Sequence, residues 1–153
     1  MSEYRIDKVR LRVAVTLANG HDLEGDVFLQ ASARYRAGPE DPIDLLNGEE
    51  RFVPLERGPG DVLLVQKSHV AVVTMPLPRE DDTVDRGVVG MHVELTLGGG
   101  VAWRGSIFPE VRADRTRLVD FLNDARPDFV ALFTHDRLVA VNRRHVAFAR
   151  PVA

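Results

Sequence analysis

Along residues 9–17 every second position is apolar: Val9, Leu11, Val13, Val15 and Leu17, with Lys8, Arg10 and Arg12 falling between them. A period of two predicts a half-buried β-strand with its apolar side inward. Asn19-Gly20 follows, and both residue types tolerate the positive φ of a tight hairpin turn, so a returning strand is expected over residues 22–29. Gly25 lies inside that strand, where glycine normally weakens pairing. A bulge or tight bend, the device that closes a small barrel, is favoured there over close approach of a ligand. Residues 44–47 then form a short apolar segment opened by Asp44 and closed by Asn47, with Gly48 after it. This predicts one short helix, with Asp44 as its cap and Asn47 as a left-handed stop. Strands are expected at 52–55, 62–65 and 70–74, with a turn at Gly58-Pro59-Gly60-Asp61 and a tight connection at Lys67-Ser68.

The same series recurs. Residues 13–20 align without gaps on 93–100, and Gly25 falls on Gly105 in that register. After a loop that is longer in the first copy, residues 43–47 match 119–123, 52–55 match 129–132, and 65–71 match 141–147. Asp44 thereby meets Asp120, Asn47 meets Asn123 and His69 meets His145. Unrelated β-rich segments would share alternation but not these glycine, asparagine and histidine positions, so the chain reads as an internal duplication. Strands are expected again at 91–97, 103–108, 129–133, 138–141 and 146–149. Between the copies, prolines and a cluster of acids mark an exposed linker.

The expected fold class is therefore mainly β: two tandem, small, five-stranded barrel-like modules, each with one short helix. The boundaries are residues 1–75, a linker at 76–88, and residues 89–153. Modules of this size lie near the lower limit for an independent core, which predicts that they pack on each other or on another chain.

The pattern Val13-x-Val15-x-Leu17-x-Asn19-Gly20 … Gly25 resembles the first signature of Sm-like small β-barrels, which share their shape with SH3-type barrels. The closing stretch 141–148 is similar to that family's second signature, in which a basic residue sits between the last two strands. The chain is also similar to uncharacterised bacterial small-barrel proteins with a D-L-L-N … F-x-P-L … H-V pattern. The likeness covers most of each module and implies a barrel fold and, for the Sm-like family, RNA binding. Here Asp44 and Asn47 come later than that family's base-reading loop, and Lys67-Ser68-His69 and Arg143-Arg144-His145 lack its Arg-Gly turn.

Composition narrows the chemistry. The chain has no cysteine, which removes disulfides, thiolate zinc sites and cysteine nucleophiles together. A net charge of −3 weighs against an extended nucleic-acid footprint. The N-terminal residues lack the apolar core of a signal peptide, and no apolar run approaches the roughly 20 residues that span a bilayer, so a cytoplasmic location without membrane contact is expected. His69 and His145 are read as hydrogen-bonding residues of the hairpin in preference to half a metal site, which needs more ligands. Capping is favoured over paired-carboxylate catalysis for Asp44 and Asp120. Gly98-Gly99-Gly100 opens no helix and precedes no Lys-Ser or Lys-Thr, so it is not a phosphate cradle. No catalytic residue, metal ligand or cofactor is assigned.

The expected function is accordingly a non-enzymatic interaction or scaffold protein working through barrel edges and surface patches, with a protein partner or a second copy of itself. The alternative is RNA binding through an arginine-rich surface. Candidate contact residues are Arg34, Arg36, Arg112, Arg115, Arg117, Arg143 and Arg144.

Overall fold

The computed structural model describes residues 8–30, 40–77, 90–108, 117–124 and 127–152. Strands β1 (Lys8–Leu17) and β2 (Asp22–Gln30) pair from Lys8↔Gln30 to Thr16↔Asp22, with Gly20 at φ 89° in the turn. The first half continues through α1 (Pro42–Asn47), β3 (Phe52–Gly58), β4 (Asp61–Gln66), a 3-10 turn (Lys67–His69) and β5 (Val70–Pro76). The second half repeats the order: β6 (Met91–Leu97), β7 (Ala102–Ile107), α2 (Leu118–Asn123), β8 (Phe129–Phe133), β9 (Arg137–Asn142), a 3-10 turn (Arg143–His145) and β10 (Val146–Pro151). The linker expected at 76–88 lies outside the described residues, apart from Pro76 and Leu77.

The ten strands among the described residues join one antiparallel sheet, in the order β10-β6-β7-β8-β9-β5-β1-β2-β3-β4. Each half therefore has its last strand beside its first, followed by the second, third and fourth. Equivalent strands pair in the same register: Ala14↔Thr74 and Leu17↔Val70 correspond to Glu94↔Arg150 and Leu97↔Val146, with a register shift at the same place in each. The sheet is open. Neither half closes by pairing its fourth strand with its own fifth; the fifth strand of the first half pairs instead with the fourth strand of the second.

That connection merges the cores. Leu138 and Ala140 of β9, with Phe129 of β8, pack among Val13, Val15, Leu55 and Val73 of the first half. Ala71 and Val72 of β5 pack in return among Val93, Leu95 and Leu132 of the second. Alternate side chains of β9 thus enter different cores, which is why Leu138, Val139, Ala140 and Val141 are all buried.

Several local expectations change. Asp41, not Asp44, caps α1, its carboxylate accepting from the Ile43 N–H at 2.9 Å. Asp120 is likewise no cap and accepts from Arg117 Nε at 3.2 Å. Asn47 and Asn123 do not take the left-handed conformation; among the described residues only Gly20, Gly60 and Gly100 have positive φ. Gly25 forms no bulge: it pairs regularly with Val13, and the next strand passes over it. A Cβ at Gly25 would stand 2.6 Å from the Glu56 carbonyl oxygen, and one at Gly105 2.6 Å from that of Phe133. Both glycines let a third strand cross the hairpin closely, at corners where β2–β3 and β7–β8 are each held by a single bridge, Asp26↔Glu56 and Ser106↔Phe133.

Candidate functional site

Where β5 meets β9, backbone pairing from Val72↔Val141 to Pro76↔Arg137 is reinforced by side chains that reach across to the other half's backbone. Asn47, at the end of α1, donates from Nδ2 to the Phe129 carbonyl at 3.1 Å and accepts from the Phe129 N–H at 2.8 Å. This pair of hydrogen bonds to the backbone of one residue fixes both distance and register. Asn142 is 2% exposed, and its Nδ2 donates to the Val70 carbonyl at 2.9 Å while its Oδ1 accepts from the Arg144 N–H at 3.1 Å. His145 Nε2 donates to the Ser68 carbonyl at 2.7 Å, so this histidine bridges the halves; the hairpin-closing bond expected of it is not the one it makes.

The two outer strands carry the counterparts of this junction, and among the described residues no strand pairs with their outer edges. β4 corresponds to β9, and β10 corresponds to β5. Val62 is 47% exposed where its counterpart Leu138 is 4%, and Leu64 is 68% exposed where Ala140 is 0%. Phe148 is 62% exposed where Val72 is 1%, and Phe52 is 47% exposed where Phe129 is 2%. Exposed apolar side chains gathered on unpaired strand edges are a template for strand addition. Asn123 and His69, the counterparts of Asn47 and His145, are exposed beside these edges.

The structure distributes the candidate arginines differently. Arg34, Arg36, Arg112 and Arg115 lie outside the described residues. Arg143 turns toward α2 and donates from Nη1 to the carbonyls of Leu122 and Asp124 at the helix end. Lys67 does the same for α1, its Nζ donating to Leu45 O at 3.0 Å and Gly48 O at 3.2 Å. A cation at each helix C-terminus satisfies carbonyls that have no intrahelical partner. Burial pulls the Lys67 ammonium below its ordinary value, and the charge of Glu50 counters this in part. Arg117 pairs with Asp120 at 3.2 Å, and Arg144 with Asp128 at 3.6 Å, both on the surface. These described candidates are engaged with their own chain and do not converge on one site.

One open depression of about 660 Å3 lies elsewhere, lined by His92, Ser106, Phe108, Phe133 and His135 among others. Ser106 Oγ and His92 Nδ1 are 3.0 Å apart there as a directly opposed cross-strand pair. Neither His69 nor His145 lines it. Among the described residues no three His, Asp or Glu side chains are grouped to hold a metal ion, and no helix is long and apolar enough to cross a membrane.

The edges are not legible in the sequence. The alternation that predicts β4 and β10 says which side chains share a face, not whether a neighbouring strand covers them. The usable signal is the repeated Asn47 and Asn123, a polar residue retained at equivalent places. Comparison with protein-family models, curated proteins and solved structures finds no match.

Proposed function

We propose that this protein is a non-catalytic interaction or scaffold protein of the cytoplasm, built from two small barrel-like modules of the Sm and SH3 type. It engages a protein partner by strand addition at its open sheet edges. The observation supporting this reading is the exposure of Val62, Leu64 and Phe148 on the two edge strands, each paired along one side, whose counterparts are buried beside a second neighbouring strand. Main-chain hydrogen bonds along such an edge supply affinity, and the apolar side chains supply specificity.

The test is affinity purification from the native cell of the wild-type chain and of Leu64→Lys, each with and without nuclease. Recovery of a defined protein that resists nuclease and disappears with Leu64→Lys is the expected result. Recovery that nuclease abolishes would favour the RNA-binding reading, and recovery indifferent to Leu64→Lys would place the contact away from the β4 edge.

A further inference from the structure

We propose that the chain assembles head to tail with copies of itself, β10 of one copy pairing antiparallel with β4 of the next in the register of the internal β5–β9 junction. This rests on the edge reading above and names the partner that fits the edges.

The internal junction is the template. It joins a last strand to a fourth strand, and the two strands left without an outer neighbour are a fourth strand and a last strand. Carrying the internal register over sets Phe148 opposite Val65 of the next copy, Ala149 opposite Leu64 and Arg150 opposite Leu63. Phe148 would then enter the neighbour's first core as Val72 enters the second, while Val62, Leu64 and Phe52 would cover the second core as Leu138, Ala140 and Phe129 cover the first. All four are exposed in the isolated chain, Val62, Leu64 and Phe148 on the edge strands and Phe52 on β3 next to β4.

The polar bridges are in place as well. Asn123 stands at the end of α2 as Asn47 stands at the end of α1, so its amide meets the Phe52 backbone of the next copy as Asn47 meets Phe129. His69 is placed to donate to the Arg144 carbonyl as His145 donates to that of Ser68. Gln66 replaces Asn142 and keeps the same amide on a longer side chain. One feature shortens the ladder: the Val152 N–H bonds to His92 of β6, so the outward-facing donor at this end belongs to residue 151, a proline that has none. Pairing is thereby confined to the stretch before Pro151. Because the contact uses two different surfaces, repetition either closes a ring of two or more copies or extends a filament.

The absence of native cysteine allows a direct test. Purified Ala149→Cys and Leu64→Cys proteins are mixed and oxidised, and the disulfides are identified by mass spectrometry. Directly opposed antiparallel residues have Cα atoms about 4.5–5.5 Å apart, within disulfide range. The Val73→Cys/Ala140→Cys double variant, which places the same pair at the internal junction, provides the reference. The expected product is the mixed disulfide that joins position 149 of one copy to position 64 of another, with a solution mass that is a multiple of 17.0 kDa. Asn123→Ala should weaken assembly about tenfold, the effect of losing one buried hydrogen-bonding group, with unchanged circular dichroism. A chain monomeric at high concentration, or disulfides only between like positions, would overturn head-to-tail assembly. The edge reading is judged separately by the Leu64→Lys purification, so failure of one is told apart from failure of the other.

Discussion

Asn47 shows how a single side chain can hold two halves of a chain together. Its amide satisfies both backbone groups of Phe129, 82 residues away, at a position that is otherwise buried. Replacing it with alanine leaves an N–H and a carbonyl inside the junction without partners, which destabilises by about 1–3 kcal/mol. Asn47→Ala should therefore lower the urea midpoint clearly. Asn123→Ala, whose side chain is exposed in the single chain, should stay within ~0.5 kcal/mol of wild type when measured at high dilution. Equal effects of the two would show that the asparagines act within their own helices. The repetition of this residue was legible in the sequence; its role was not. Asparagine at a helix end is read locally as a stop because local geometry is all that a window of neighbours reports, whereas the bonding partner here is supplied by another strand.

At the scale of elements, the alternation of Val9 to Leu17 and of Met91 to Leu97 marks real strands, and both hairpins fall where they were expected. Some strands run two residues past the expected end, β5 to Pro76 and β10 to Pro151, because backbone pairing with a neighbouring strand continues there. Electrostatics adds an element-level link that the repeat does not share. Glu94 of β6 accepts from Arg104 Nε of β7 at 2.5 Å and from Arg150 Nε of β10 at 3.1 Å, tying three adjacent strands, whereas its counterpart in β1 is Ala14. Its carboxyl is held below the ordinary glutamate value, first by the Arg104 hydrogen bond and then, against some desolvation, by Arg150. A carboxyl with a lowered folded-state pKa stabilises the protein above its unfolded-state value, and that stability is lost as pH falls through the folded-state value. Wild type should thus lose more stability than Glu94→Gln as pH drops below the ordinary glutamate range, in parallel chemical-denaturation series. Asp136, lowered in the same direction by Arg137 and Thr134, is present in both proteins and cancels in the difference.

At the scale of the whole molecule, the duplication was legible because it is written in matched residues, but the joining of its halves was not. Periodicity specifies a face and leaves the choice of neighbouring strand to tertiary packing, so two closed units and one continuous open sheet share the same pattern. The merged cores make that choice measurable. Residues 1–78 expressed alone would lose Phe129, Leu138 and Ala140 from the first core and would lay bare the side of β5 that β9 covers, with Val72 on it. A unit near the lower size limit for independent folding has little stability to spare for such a loss. It would also carry two complementary free edges of its own, β4 and β5. The fragment should therefore either unfold at lower denaturant than the full chain or associate through β4–β5 contacts, as sedimentation and circular dichroism would show. A stable, monomeric fragment would mean that β9 only decorates a core already complete. The same mass measurements on fragment and full chain connect this scale to the edges, because β4 against β5 in the fragment is the pairing that β4 against β10 makes between whole chains.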